Sequence, residues 1–128
     1  MNRPAPDAEW ANYVAAVTIL YVELPETPLR ASVQDQMQAR RLFERDIPLR
    51  LVESALLLAS LRRLIRPADV PPLPPIRSLA YFLPVIEELL SQPVPESYHG
   101  YLRLKLHRMT GNPIAPAEVQ KDTFLDDR

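Results

Sequence analysis

PLRLVESALLLASLRRLI, residues 48 to 65, is the stretch that decides the fold. Leu49, Leu51, Val52, Ala55, Leu56, Leu58, Ala59 and Leu61 spread apolar side chains over more than half of a helical circumference, a pattern that fits a helix surrounded by others rather than one lying on a surface. Arg50, Glu53, Ser54 and Ser60 form one narrow strip expected to stay wet. Arg62, Arg63 and Arg66 gather at the C-terminal end, where cations complement the helix dipole. Pro48 suits the first helical position, because its missing N–H would be unpaired there in any case. The expected fold is therefore all-α, a compact bundle of about five helices built around a long buried central helix.

On the N-terminal side, Ser32 with Asp35 three residues later has the pattern of a capping box, and a helix is expected from there to about Arg45. Ala39, Leu42 and Phe43 form its inward side. Met37, Arg41, Glu44 and Arg45 fall opposite, with Arg40 on the flank, giving an exposed basic face. Only Asp46 and Ile47 separate this helix from the central one, so the two are expected to pack on each other. Further upstream, Asp7 is a candidate N-cap for a helix to about Leu20 or Tyr21 with one core stripe of Trp10, Tyr13, Val14, Val17 and Tyr21. Pro25 and Pro28 then force a loop.

On the C-terminal side, Pro67 to Pro75 contains five prolines and is expected to form an extended, polyproline-like connector. Ser78 is the candidate cap of a fourth helix with Leu79, Phe82, Leu83, Ile86, Leu89 and Leu90 apolar, and Pro84 within it implies a kink or a start at that residue. A fifth helix follows Pro95, carries Tyr98, Tyr101, Leu102, Leu104 and Leu106, and ends near Thr110 and Gly111. One domain over 1–111 and a loosely ordered tail over 112–128 complete the organisation.

Composition narrows the function classes. The chain has 128 residues, no cysteine, 15 prolines, 2 glycines and a formal charge of −1, which is enough length for one core without covalent staples and too little charge for a strong general affinity for polyanions. The charge is nonetheless uneven, at +4 over residues 30–66 and +3 over residues 103–111. The absence of cysteine excludes disulfides and thiolate chemistry and fits a reducing, cytoplasmic setting. Met1 to Asp7 lacks an apolar signal core, and no apolar run approaches a membrane span, so no membrane partner is expected.

No catalytic constellation, metal site or cofactor site is expected, and the chain reads as a non-enzyme. His99 and His107 lie two helical turns apart, about 12 Å of rise, too far to share a metal, and both are expected at or near the surface. Glu87 and Glu88 are sequence neighbours that point about 100° apart on a helix, which makes them solvated charges rather than an acid/base pair. Pro72-Leu73-Pro74-Pro75-Ile76-Arg77 matches the P-x-x-P-x-R pattern bound by SH3 grooves, but a connector packed on the bundle accounts better for Leu73 and Ile76. The helix pair from Ser32 to Ile65 can be aligned with a helix-turn-helix, yet the second helix is too long and apolar to lie in a groove, and a plain αα-hairpin is preferred.

Seven arginines remain as candidate nucleic-acid contacts: Arg40, Arg41 and Arg45, Arg50 beyond the turn, and Arg62, Arg63 and Arg66, which can hold phosphates without base specificity. The alternative is a protein partner, or a second copy of the chain, meeting surplus apolar side chains such as Met37 and the tyrosines of the fifth helix. The segments Ala39-Arg40-Arg41-Leu42-Phe43-Glu44, Asp46-Ile47-Pro48-Leu49, Leu51-Val52-Glu53-Ser54-Ala55-Leu56 and Ile76-Arg77-Ser78-Leu79-Ala80-Tyr81-Phe82 together resemble the helical accessory domains of DnaD-type and related replication proteins of phages and mobile elements. The resemblance covers about a third of the chain. It implies an accessory role in replication or mobile-element maintenance, with DNA or initiator binding.

Overall fold

Residues 49–64 form the axis of the bundle. The computed structural model describes residues 6–111, with side chains from Ala8 onward. The tail expected over 112–128 lies outside the described residues. The elements are α1 (Pro6–Glu23), α2 (Val33–Glu44), α3 (Leu49–Leu64), a 3-10 turn (Leu79–Phe82), α4 (Leu83–Ser91) and α5 (Ser97–Thr110), with no strand among the described residues. α3 packs against α1, α4, α5 and the 3-10 turn, as its apolar circumference requires. Val52, Ala55, Leu56, Ala59 and Leu61 are buried, and so is Leu57, which lies outside the apolar set expected from the sequence. Leu49, Leu51 and Leu58 are only partly buried.

Two expectations about α3 need correction. Ser54 and Ser60 are buried, so the wet strip shrinks to Arg50 and part of Glu53; both serines are small enough to sit beneath a neighbouring helix. α2 also packs mainly on α1 and the 3-10 turn rather than on α3. The cause is local. Asp46 adopts φ 60°, its N–H donates to the Phe43 carbonyl, and the Ile47 N–H donates to the Leu42 carbonyl, which together make a Schellman motif that turns the chain away from α2. Buried Ile47 closes the motif by joining the core near Leu42.

The capping box at the start of α2 is present: Ser32 Oγ accepts from the Asp35 N–H at 3.0 Å, and Asp35 Oδ2 accepts from the Ser32 N–H at 2.9 Å. Asp35 does more than cap. Its second oxygen accepts from the buried Leu79 N–H at 2.9 Å, so one carboxylate ties the start of α2 to the start of the 3-10 turn. Ser78 precedes that turn without making a side-chain cap bond. Pro84 sits in the first turn of α4, in keeping with a true helix start there. α1 begins at Pro6, which places Asp7 inside the helix rather than at its cap. Gly111 ends α5 at φ 72°, a conformation glycine adopts without Cβ strain.

The proline connector is held down along its length. The Ile76 N–H donates to the Glu26 carbonyl, Ile76 is buried, and the carbonyls of Pro71 and Pro74 accept from Arg66 and Arg63 at 2.8 Å. One turn bond, from the Val70 N–H to the Pro67 carbonyl, interrupts the extended backbone. Leu56→Ala is expected to lower unfolding free energy by about 2–5 kcal/mol and Leu58→Ala by clearly less, since only Leu56 leaves an enclosed cavity. Urea denaturation of the two variants measures the difference, and equal losses would contradict the burial pattern.

Candidate interaction surfaces

The seven candidate arginines do not share one face. Arg40 lies 4.1 Å over the Trp10 ring of α1 and pairs with Glu44 at 3.3 Å. Arg45 reaches α4, where it makes two bonds to Glu87 at 2.7 and 3.3 Å. Arg50 turns to α5 and contacts His99 Nδ1 at 2.8 Å, with Glu53 and Glu96 near 4 Å. Arg62 grips Glu88 through both terminal nitrogens at 2.8 and 2.7 Å. Arg63 is nearly buried; it pairs with Glu26, donates to the Pro74 carbonyl and to the Tyr81 hydroxyl, and so joins the α1–α2 loop, the connector and the 3-10 turn. Only Arg41, bonded to Gln38, and Arg66, bonded to the Pro71 carbonyl, have no carboxylate within 4 Å among the described residues.

Glu87 and Glu88, expected as free solvated charges, are instead the acceptors of these bonds. Because they are neighbours pointing in different directions, one reaches α2 and the other α3. The hydrogen bonds from Arg45 and Arg62 hold both carboxyls below the usual range. Arg62, Arg63 and Arg66 do come together, lining a groove of about 370 Å³ whose apolar walls are Ala59, Leu73, Tyr81 and Val85.

Buried polar groups are few, and each has a structural account or none. His99 is buried rather than at the surface, wedged between α5 and the start of α3, while His107 is exposed as expected. A guanidinium can only donate, so the Arg50 contact makes His99 Nδ1 the acceptor. Tyr13 donates to the Ile47 carbonyl at 2.7 Å, which pins α1 to the α2–α3 turn. The Tyr21 hydroxyl and Ser60 Oγ have no partner in the structure. Among the described residues no three His, Asp or Glu side chains come close enough to hold a metal.

Burial, with Glu53 beside Tyr13 and Asp35 beside Tyr21, pushes both phenols from 10 up to about 12. Between pH 10 and 12 the unfolded chain therefore releases phenolic protons that the folded chain keeps, and stability falls as pH rises through this window. Absorbance titration of the phenolates should show two of the five tyrosines ionising late. Ionisation of all five near pH 10 in folded protein would refute the burial of Tyr13 and Tyr21.

The larger surprise is apolar. Trp10 to Val22 contains no charged residue, and α1, expected to carry a single core stripe, is apolar on its outer side as well. Tyr13, Val14, Val17, Leu20, Tyr21 and Leu24 face inward, whereas Ala8, Ala11, Ala15 and Ile19 are exposed. Ile19 is 58% exposed, and in the following loop and α2 Leu29 is 92%, Val33 72% and Met37 49% exposed. Four large apolar side chains of α1, α2 and the loop between them are thus exposed. A smaller group lies on α5, where exposed Tyr101 stacks on Tyr98 at 5.8 Å and Leu104 is also exposed.

The uncharged run in α1 was legible in the sequence, since a helix needs charge or polarity on any side left in water. The carboxylate partners of Arg45, Arg62 and Arg63 were not, because Glu87, Glu88 and Glu26 lie on other elements. No protein-family model, curated protein or solved structure matches this chain. The resemblance to DnaD-type domains rests on the quoted residues alone. No helix among the described residues is long and apolar enough to cross a membrane.

Proposed function

We propose that this chain is a non-enzymatic helical binding module that acts by assembling with protein, through the open end of the α1–α2 hairpin. One observation carries this: Ile19, Leu29, Val33 and Met37, on α1, α2 and the loop joining them, are exposed, and α1 has no charge from Trp10 to Val22. Large apolar side chains exposed in number invite a partner, and charge-depleted surfaces rimmed by polar groups are the usual centre of protein interfaces. Glu23, Glu26 and Arg30 supply such a rim. Ile19→Glu combined with Met37→Glu is expected to leave the helical circular dichroism unchanged while abolishing association, read as a fall in mass by light scattering or as loss of a protein co-purifying with the chain. A monomeric parent that co-purifies with nothing, and whose behaviour the double variant does not alter, would remove this proposal.

A second reading is favoured by Arg41 and Arg66, whose charges no carboxylate among the described residues neutralises. It is the accessory role in a DNA transaction, with phosphates held by these two residues and by whatever Arg40, Arg45, Arg50, Arg62 and Arg63 release from their present partners. Five committed guanidinium groups and a net charge of −1 weigh against strong binding. The expected outcome of gel retardation with duplex DNA is no shifted band even at low salt. A band that weakens steeply with salt and disappears in Arg41→Glu with Arg66→Glu would instead favour the nucleic-acid role.

A further inference from the structure

Among the described helices, α5 is the one that carries cations and no acid: Arg103, Lys105 and Arg108 stand in a stretch from Ser97 to Thr110 without Asp or Glu. The basic residues of α2 and α3 share their helices with Asp35, Glu44 and Glu53. Lys105 and Arg108 are exposed, and neither has a carboxylate within 4 Å among the described residues. His99, Leu102 and Leu106 are buried, with α3 as the main neighbour of α5. At about 100° per residue, Tyr98, Tyr101, Leu104, Lys105, Arg108 and Met109 fall within an arc of about 140° on the other side. All of these except half-buried Tyr98 are exposed.

Within this arc apolar and cationic positions alternate. Tyr101 and Lys105, Leu104 and Arg108, and Lys105 and Met109 are all i,i+4 pairs, so each cation has an apolar side chain one turn away. The stacking of Tyr101 on Tyr98, with ring centroids 5.8 Å apart, holds the exposed ring against the helix. Tyr, Met and Arg are the side chains enriched where proteins meet, and Tyr and Arg dominate the energetics of such contacts. We infer that this face of α5 receives an acidic amphipathic helix of another protein. Tyr101, Leu104 and Met109 meet its apolar stripe, and Lys105 and Arg108 pair with Asp and Glu beside that stripe.

Charge complementarity selects this occupant over others. Laid on α5 of a second copy, the face would set cation against cation. A phosphate backbone gains from an unbroken row of donors, whereas here two unpaired cations are separated by apolar side chains, too few to hold a polyanion strongly. An acidic helix with its own apolar stripe satisfies both kinds of position at once. The face lies on a different element from Ile19 and Met37, so it is a second binding surface that stands or falls independently of the first.

The test titrates the full chain into a fluorescent peptide of about 20 residues with Leu at i, i+3, i+4 and i+7 and Glu at the flanking positions, and reads anisotropy. Saturable binding that weakens with added salt is expected. The same peptide with Lys in place of Glu should not bind. Lys105→Glu with Arg108→Glu is expected to weaken binding by about tenfold or more, and Tyr101→Ala by about tenfold, with unchanged helical circular dichroism. Ile19→Glu with Met37→Glu should leave the affinity as it is. Absence of binding to the Glu peptide overturns the inference, as does equal binding of the Lys peptide, which would mean apolar adhesion alone. Full affinity in Lys105→Glu with Arg108→Glu would place the peptide elsewhere on the chain and also overturn it. Tighter binding of oligothymidylate, or of phosphatidylserine vesicles, lost in that same variant, would assign the face to nucleic acid or to a membrane surface instead.

Discussion

A helix that is apolar over most of its circumference cannot rest on the outside of a small protein, and residues 49–64 impose that constraint on everything else. Four elements are recruited to cover α3, and the connections between them are set by where that cover must go. The Schellman turn at Asp46 is one result. It stops α2 from folding back on α3 and directs it onto α1 and the 3-10 turn, leaving α3 free to be enclosed by α4 and α5. The stiff proline segment is another, since it carries the chain from the end of α3 to the start of α4 without asking for a helix between them.

The arginines show how one residue type serves local structure and fold together. On the sequence they form basic clusters; in the folded chain most are fasteners between elements. Arg45 and Arg62 hold α4 to α2 and α3 through consecutive glutamates, and Arg63 joins the α1–α2 loop, the proline connector and the 3-10 turn. Paired guanidinium and carboxylate groups near a surface add modest stability each, but bidentate geometry gives them directional value in fixing where a loop lies. Cations already committed in this way present little free charge to a polyanion, which is why apolar surface, not basic surface, carries the functional proposal.

α1 stands apart from the other helices. Its inward side anchors the core through Tyr13, Val17 and Tyr21, while its outward side repeats the apolar character with Ala11, Ala15 and Ile19 exposed among the described residues. Folding the single chain satisfies α3 completely and α1 only by half.

Helix count, the central place of α3, the capping box at Ser32 and Asp35 and the boundary near Pro84 were all determined by the sequence, because periodicity, caps and proline act over a few residues. The charge-free run of α1 was also plain in the sequence, though its meaning depended on which side the core would cover. Only the tertiary structure decided that Ser54, Ser60 and His99 are buried, that Asp35 caps two elements, and that Glu87 and Glu88 bind arginines from two different helices. These are contacts between residues 26 to 49 positions apart, or burial by an element packed from elsewhere in the chain, and no local pattern encodes the distance or direction over which such groups meet.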